Sequence, residues 1–133
     1  MRLWHIDLIP YLPKSQLVAQ WRELNSIFKK QDRHLLINYI YMTDKRPLLS
    51  YSKEIIREMT NRDYKIKKLD NFNDFFECVP YIEGAKFWEH NNEYLEICYY
   101  NLKEKYIRGQ KDFTYHTWEK LDNFYRKEVI KSE

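Results

Sequence analysis

The sequence of 133 residues contains only two glycines and two cysteines. Scarce glycine argues against a turn-rich β-sandwich and favours helices joined by packed, aromatic-rich connections. No apolar run approaches the roughly 18 residues that a membrane span needs, and the N-terminus lacks the layout of a secretory signal. Cys78 and Cys98 show no C-x-x-C spacing, so we expect reduced, buried cysteines. A cytoplasmic protein is expected, with no membrane partner.

Several kinds of reactive site also have no sequence support. The four histidines and two cysteines form neither an H-E-x-x-H motif nor paired C-x-x-C motifs, so we expect no metal and no cofactor. There is no glycine-rich phosphate loop and no G-x-S-x-G motif. Nucleotide hydrolysis and serine hydrolysis are therefore not indicated.

Positive charge is concentrated in the first half of the chain, although the net charge is only +3. Residues 1–70 carry 14 Lys and Arg against 8 Asp and Glu, whereas residues 71–133 carry 9 against 12. This asymmetry fits either a phosphate-facing surface or an ordinary charged surface.

Apolar spacing predicts an all-α fold: one compact domain over residues 1–133, with three to four helices and long irregular aromatic-rich connections. Residues 1–12 should run extended, because the steps at Pro10 and Pro13 resist helix. Residues 31–46 fit either a helical continuation or an extended run, and residues 62–89 should be irregular with room for one short helix. The predicted helices run from Pro13 or Lys14 to Lys30, from Pro47 to about Asn61, from Asn91 or Asn92 to Gly109, and from about Thr114 to Glu128.

Large side chains in these segments are assigned mainly to the core. Trp4 and Trp21 are interpreted as core residues rather than as platforms for a stacked base. His5 and His90 either hydrogen-bond near the N-terminus or contact DNA. In residues 62–89, the expected core side chains are Phe72, Phe75, Phe76, Val79, Tyr81 and Ile82.

Three sequence blocks resemble one protein family in order and spacing. They are Leu17-x-x-x-Trp21-Arg22-Glu23-Leu24, a block from Leu48 to Tyr64 (Leu48-x-x-Tyr51-Ser52-x-x-Ile55-Ile56-x-Glu58-Met59-x-x-Arg62-x-Tyr64), and Asn101-Leu102-x-Glu104-Lys105. Together they look like the pyrimidine-dimer DNA glycosylases of the endonuclease V type. The opening Met-Arg-Leu-Trp-His and the Glu-His-Asn-x-x-Tyr-Leu block at residues 89–95 are similar to short bacterial relatives of that family. The resemblance covers roughly residues 1–108.

The resemblance implies DNA repair: a DNA glycosylase with abasic-site (AP) lyase activity on damaged double-stranded DNA. A protein of this kind is expected to be nucleoid-associated. In that family the N-terminal amine attacks the sugar and a glutamate assists, which by position is Glu23. An α-amine suits imine formation, because its ordinary pKa of about 7.7–8.0 leaves an unprotonated fraction at neutral pH. The catalytic set is then Met1, Arg2 and Glu23, and a monomer is expected. The DNA-binding set is Arg22, Lys14, Gln16, Ser26, Lys30 and His90.

Two positions depart from the family pattern. A small residue follows the initiator methionine in the phage-type enzymes, but here it is the bulky Arg2, so Met1 should be retained and carry the amine. Ser26 stands where the family has a second arginine. The alternative to an enzyme is therefore a non-catalytic DNA-binding or interaction domain that keeps the fold and has lost the nucleophile. A third alternative is an enzyme acting on a substrate other than DNA.

Overall fold

A computed structural model describes residues 2–30 and 35–132, and in that part of the chain the fold is all-α, with no β-strand. A first 3-10 helix, Ile6–Tyr11, precedes the long helix α1. A second 3-10 helix, Asn38–Tyr41, lies between α1 and α2. The five α-helices of the described residues are α1 (Lys14–Lys30), α2 (Arg46–Asn61), α3 (Leu69–Phe75), α4 (Asn92–Ile107) and α5 (Tyr115–Ser132).

The prediction of an extended segment over residues 1–12 is wrong for residues 6–11, which form the first 3-10 helix with Pro10 inside it. Its i to i+3 pattern is visible in the bond from the Leu8 amide to the His5 carbonyl, at 2.9 Å. The fixed φ of proline is compatible with this tighter helix, so the X-Pro steps argued only against a continuous α-helix. Leu8 and Ile9 are buried, and the segment therefore fills the core.

Helices α1 and α2 follow their predicted bounds closely. α1 begins at Lys14 and ends at Lys30, and α2 contains Pro47 in its first turn and ends at Asn61. Proline is tolerated there because the first amides of a helix have no intrahelical acceptor. The apolar stripes of both helices are buried: Leu17, Trp21, Leu24 and Phe28 in α1, and Leu48, Tyr51, Ile55 and Met59 in α2.

The predictions for the two connections, residues 31–46 and residues 62–89, agree with the structure to different degrees. Residues 38–41 are a 3-10 helix, so neither the helical continuation nor the extended run is correct there, and residues 31–34 lie outside the described part. The one short helix foreseen in residues 62–89 is α3. Phe72, Phe75 and Phe76 contact Phe28 of α1. Tyr81 and Ile82 do not enter the core, since 41% and 44% of their surface is exposed.

The predicted third and fourth helices correspond to α4 and α5. Asn91 caps α4 by accepting a bond from the Tyr94 amide, and Gly109 follows its last turn with a φ of +81°. α5 begins one residue after Thr114 and extends to Ser132, four residues beyond the predicted end. Within α4 Cys98 is buried as expected, but Cys78 is exposed, which corrects that prediction. None of the described helices combines the length and the apolar character needed to cross a membrane.

Candidate functional site

The N-terminal segment, residues 2–5, lies along α1 and is held there by the side chain of Gln20. The Gln20 Nε2 donates to the Arg2 carbonyl at 2.7 Å, and its Oε1 accepts from the Trp4 amide at 3.3 Å. The Tyr51 hydroxyl of α2 lies 2.7 Å from the same Oε1 and 2.8 Å from the Trp4 carbonyl. One amide therefore joins the start of the chain to α1 and α2.

Glu23 is half-buried beside this segment. Its Oε2 lies 3.3 Å from the Gln20 Nε2, and the Arg2 backbone amide favours its charged form. Burial raises the pKa of the Glu23 carboxyl, while the Arg2 amide and the charge of Arg22 oppose that rise. The carboxylate is thus fixed next to the second residue of the chain, and Met1 itself lies outside the described residues.

The side chain of Arg2 turns toward aromatic rings. Its guanidinium carbon lies 5.9 Å from the ring centroids of both Trp4 and Tyr94. Burial raises the pKa of the Tyr94 hydroxyl, and Arg2 opposes that rise through its charge and a hydrogen bond. These contacts hold the Arg2 charge over the N-terminal end of α4.

His90 belongs to a buried network and not to the surface. Its Nδ1 accepts from the Ile6 amide at 3.2 Å, so the ring proton lies on Nε2, which is 2.7 Å from the Tyr39 hydroxyl. Burial, with a smaller contribution from the charge of His5, lowers the pKa of His90 to about 3. Both ring nitrogens are occupied and the residue is 8% exposed. The structure therefore gives His90 a buried position in the network that holds the N-terminal segment, and its place in the DNA-binding set stays a prediction.

A groove runs along the other side of α1, between this helix and the segment that follows α2. It encloses about 770 Å³. Seven basic side chains and one acid line it, and within the described residues none of the seven forms an ion pair. We call this the basic groove; its charged residues are Lys14, Arg22, Lys29, Lys30, Lys65, Lys67, Lys68 and Asp63.

Four residues of the predicted DNA-binding set line the basic groove: Lys14, Arg22, Ser26 and Lys30. Gln16 does not. Its Oε1 accepts from the Trp4 indole at 3.2 Å, and its Nε2 donates to Gln110 at 3.0 Å. Gln16 thus anchors the N-terminal segment on α1.

Three lysines of the basic groove escaped sequence reasoning. Lys65, Lys67 and Lys68 lie in the connection between α2 and α3, where no helical pattern indicates a direction. The Trp21 indole donates to the Lys67 carbonyl at 2.8 Å and so fixes this connection against α1. Asp63 and Lys68, near its two ends, have left-handed φ angles of 61°. The lysine run was the available signal, but only the fold shows which surface it faces.

Grouped metal ligands are not found among the described side chains: no three His, Cys, Asp or Glu residues cluster closely enough to hold an ion.

Comparison with known proteins gives one match. A sequence model of the family described as pyrimidine dimer DNA glycosylase matches residues 1–72. No curated protein and no solved structure matches the chain. The matched region contains the N-terminal segment, Glu23 and all the residues that line the basic groove. It spans more than half of the chain, so this protein belongs to the pyrimidine dimer DNA glycosylase family, whose members are DNA-repair glycosylases.

Proposed function

We propose that this protein is a DNA glycosylase with abasic-site lyase activity on damaged duplex DNA. The α-amine of Met1 is the nucleophile and Glu23 is the assisting carboxylate. The observation that carries the proposal is that one amide nitrogen, the Gln20 Nε2, donates to both the Arg2 carbonyl at 2.7 Å and Glu23 Oε2 at 3.3 Å.

Covalent geometry links Arg2 to the amine. Three bonds separate the α-nitrogen of Met1 from the backbone nitrogen of Arg2, which limits their separation to about 3.8 Å. The Arg2 carbonyl and Glu23 Oε2 are in turn joined by the Gln20 Nε2, which donates to both. The amine and the carboxylate are therefore close enough to act on the sugar of one nucleotide.

The chemistry follows from this pairing. The amine nitrogen forms a bond to the sugar C1′ as the glycosidic bond breaks, and the base departs with the bonding electrons and acquires a proton. Loss of the remaining amine proton and opening of the sugar ring give an imine, after which removal of a C2′ proton expels the 3′ phosphate and cuts the strand. Glu23 stabilises the positive charge that develops on the sugar, as carboxylates do in sugar hydrolysis.

The basic groove supports the choice of duplex DNA as partner. None of its cations forms an ion pair in the described structure, so they are available to replace the counterions of a phosphate backbone. Arg22 is in the groove and is adjacent in sequence to Glu23. Arg22 is therefore the groove residue nearest in sequence to the proposed reacting groups, which lie on the other side of α1.

Borohydride trapping on a duplex with one abasic site tests the proposal. We expect a covalent adduct, seen by gel shift and intact mass, that disappears when the N-terminus is blocked. Glu23→Gln should weaken trapping. Glu96→Gln, which changes an exposed glutamate on α4, should leave it unchanged.

The second candidate is a DNA-binding relative without the reaction. It is favoured by Arg2, whose bulk leaves Met1 in place of a small N-terminal residue, and by Ser26 at a family arginine position. Salt-sensitive duplex binding without any adduct would establish this candidate. Absence of both binding and adduct would refute both candidates and favour a substrate other than DNA.

We also propose that residues 1–133 act as one domain and as a monomer. One buried cluster extends from Leu3 through α1, α2 and α4 to Leu121 of α5, which supports a single folding unit. Light scattering that gives a mass near 16.7 kDa, together with a single unfolding transition, is the expected result. A dimer mass or two transitions would contradict it.

A further inference from the structure

We infer that Gln20 is a positioning residue, which holds the Glu23 carboxylate at a fixed position relative to the N-terminal segment. The inference rests on the proposed function, because this relative position matters only if the Glu23 carboxylate and the N-terminal amine act on the same sugar. It adds to the residues that support the proposed reaction one that makes no contact with substrate and acts through its neighbours.

The Gln20 side chain is 2% exposed and its amide is fully used. A single nitrogen, Nε2, donates to both the Arg2 carbonyl at 2.7 Å and Glu23 Oε2 at 3.3 Å. This one atom therefore holds both the assisting carboxylate and the backbone segment that leads to the amine. A shift of either group relative to the other would break one of these bonds.

The orientation of this amide is itself fixed. Its Oε1 faces the Trp4 amide at 3.3 Å, and the Tyr51 hydroxyl at 2.7 Å. A flipped amide would place its NH₂ group against the Trp4 N–H, two donors in contact, and would leave the Arg2 carbonyl facing an oxygen. Because buried polar groups need partners, the flipped state is disfavoured. Tyr51 is fully buried and connects this orientation to α2.

Precise placement matters for the proposed reaction. A displacement of about 1 Å in a reacting group can slow a reaction on the order of 100-fold. Gln20 contributes no charge and reaches no groove surface, so its loss should affect the chemical step and leave DNA affinity unchanged. A lower rate with an unchanged DNA affinity therefore distinguishes a positioning role from a binding role.

The test uses Gln20→Met, which keeps the length of the side chain and removes its hydrogen bonds. With enzyme in excess over an abasic duplex, we expect the single-turnover rate of borohydride trapping to fall on the order of 100-fold. Affinity for a duplex with a reduced abasic site should not change. Trapping at the wild-type rate would overturn the inference.

Two further variants separate positioning from stability. Tyr99→Phe removes a buried hydroxyl that donates to Asp122 at 2.5 Å, away from Gln20, and should lower stability without slowing trapping. If Gln20→Met does not fold, Gln20→Glu keeps an oxygen for Trp4 and Tyr51 but loses the amide donors. It should slow trapping in the same way.

A readout independent of catalysis is the titration of Glu23 followed by carbon-13 NMR. Loss of a donor to the charged form should raise the pKa of the Glu23 carboxyl further in Gln20→Met. Arg22 and the Arg2 amide still act on this carboxyl. An unmoved Glu23 titration overturns the inference whatever the trapping rate. A moved titration in a protein whose wild type forms no adduct refutes the proposed function and leaves the placement of Glu23 by Gln20 supported.

Discussion

The Trp21 indole nitrogen lies 2.8 Å from the Lys67 carbonyl, to which it donates a hydrogen bond. This bond joins the helix that carries Arg22 and Glu23 to the connection that carries three lysines. Trp21 is 6% exposed, and its ring packs near Phe28 and Phe72. A core residue therefore fixes one wall of the basic groove against the other.

The lysine wall should contribute to DNA binding through charge alone. We expect the triple change Lys65→Gln, Lys67→Gln and Lys68→Gln to weaken duplex binding and to lower the slope of log Kd against log salt by about 0.9 for each phosphate that is no longer neutralised. The side chains of this wall lie at the protein surface, so stability should change little. Fluorescence anisotropy across a salt series measures both quantities.

A matched triple change serves as the control for the lysine wall. Lys86, Lys111 and Lys127 are also exposed but lie outside the basic groove. Replacing these three with Gln changes the net charge equally. If both triple variants lower the slope by the same amount, binding depends on net charge and not on the basic groove.

The sequence predicted the long helices because their apolar stripes are continuous and their ends carry recognisable residues. Pro47 lies in the first turn of α2 and Gly109 follows α4, as expected for a first-turn proline and a left-handed residue after a helix. Residues 6–11 were missed because the X-Pro argument addresses the α-helix and says little about a 3-10 helix. Tyr81 and Ile82 were assigned to the core by residue type alone, which does not report burial.

The candidate site was only partly predictable, for a different reason. Arg22 and Glu23 lie in one sequence block, whereas Gln20, Tyr51 and the N-terminal segment meet only through tertiary packing. Gln20 is an ordinary helix residue in sequence, and nothing in its spacing reveals the hydrogen bonds of its amide. His90 illustrates the converse, because a polar residue that looked available is buried.

The two cysteines should differ in reactivity. Cys78 is exposed and Cys98 is buried, and burial raises the pKa of the Cys98 thiol. A neutral alkylating reagent should therefore label Cys78 alone in the native protein, since the reactive form is the exposed thiolate. Intact mass should show one adduct before denaturation and two afterwards; two adducts on the native protein would contradict the packing of α4.

Replacing Gly109, which follows α4, with alanine should destabilise the protein. The φ of +81° at Gly109 is unfavourable for a residue with a Cβ, although no atom lies within 4 Å of the position that a Cβ would occupy. Gly109→Ala should therefore lower the free energy of unfolding by about 1 kcal/mol through backbone strain alone. Urea unfolding measures the loss, and Gly109→Asn should lose less because asparagine tolerates this conformation. Equal losses in the two variants would point to a side-chain clash instead.

Acid should destabilise the fold through His90. Burial lowers its folded pKa to about 3, whereas an unfolded histidine titrates near 6.5. Between these values the unfolded chain binds one more proton than the folded chain, so stability falls as the pH falls through 6.5. From pH 7 to pH 5 the contribution of His90 is a loss of about 2 kcal/mol in the free energy of unfolding. Burial also lowers the pKa of His5, which adds a loss in the same direction. Urea unfolding at closely spaced pH values should show this decline in the wild type. His90→Gln, whose side chain is uncharged at every pH, should be less stable at pH 7 but show a shallower decline. An equally steep decline in His90→Gln would assign the acid sensitivity to other groups.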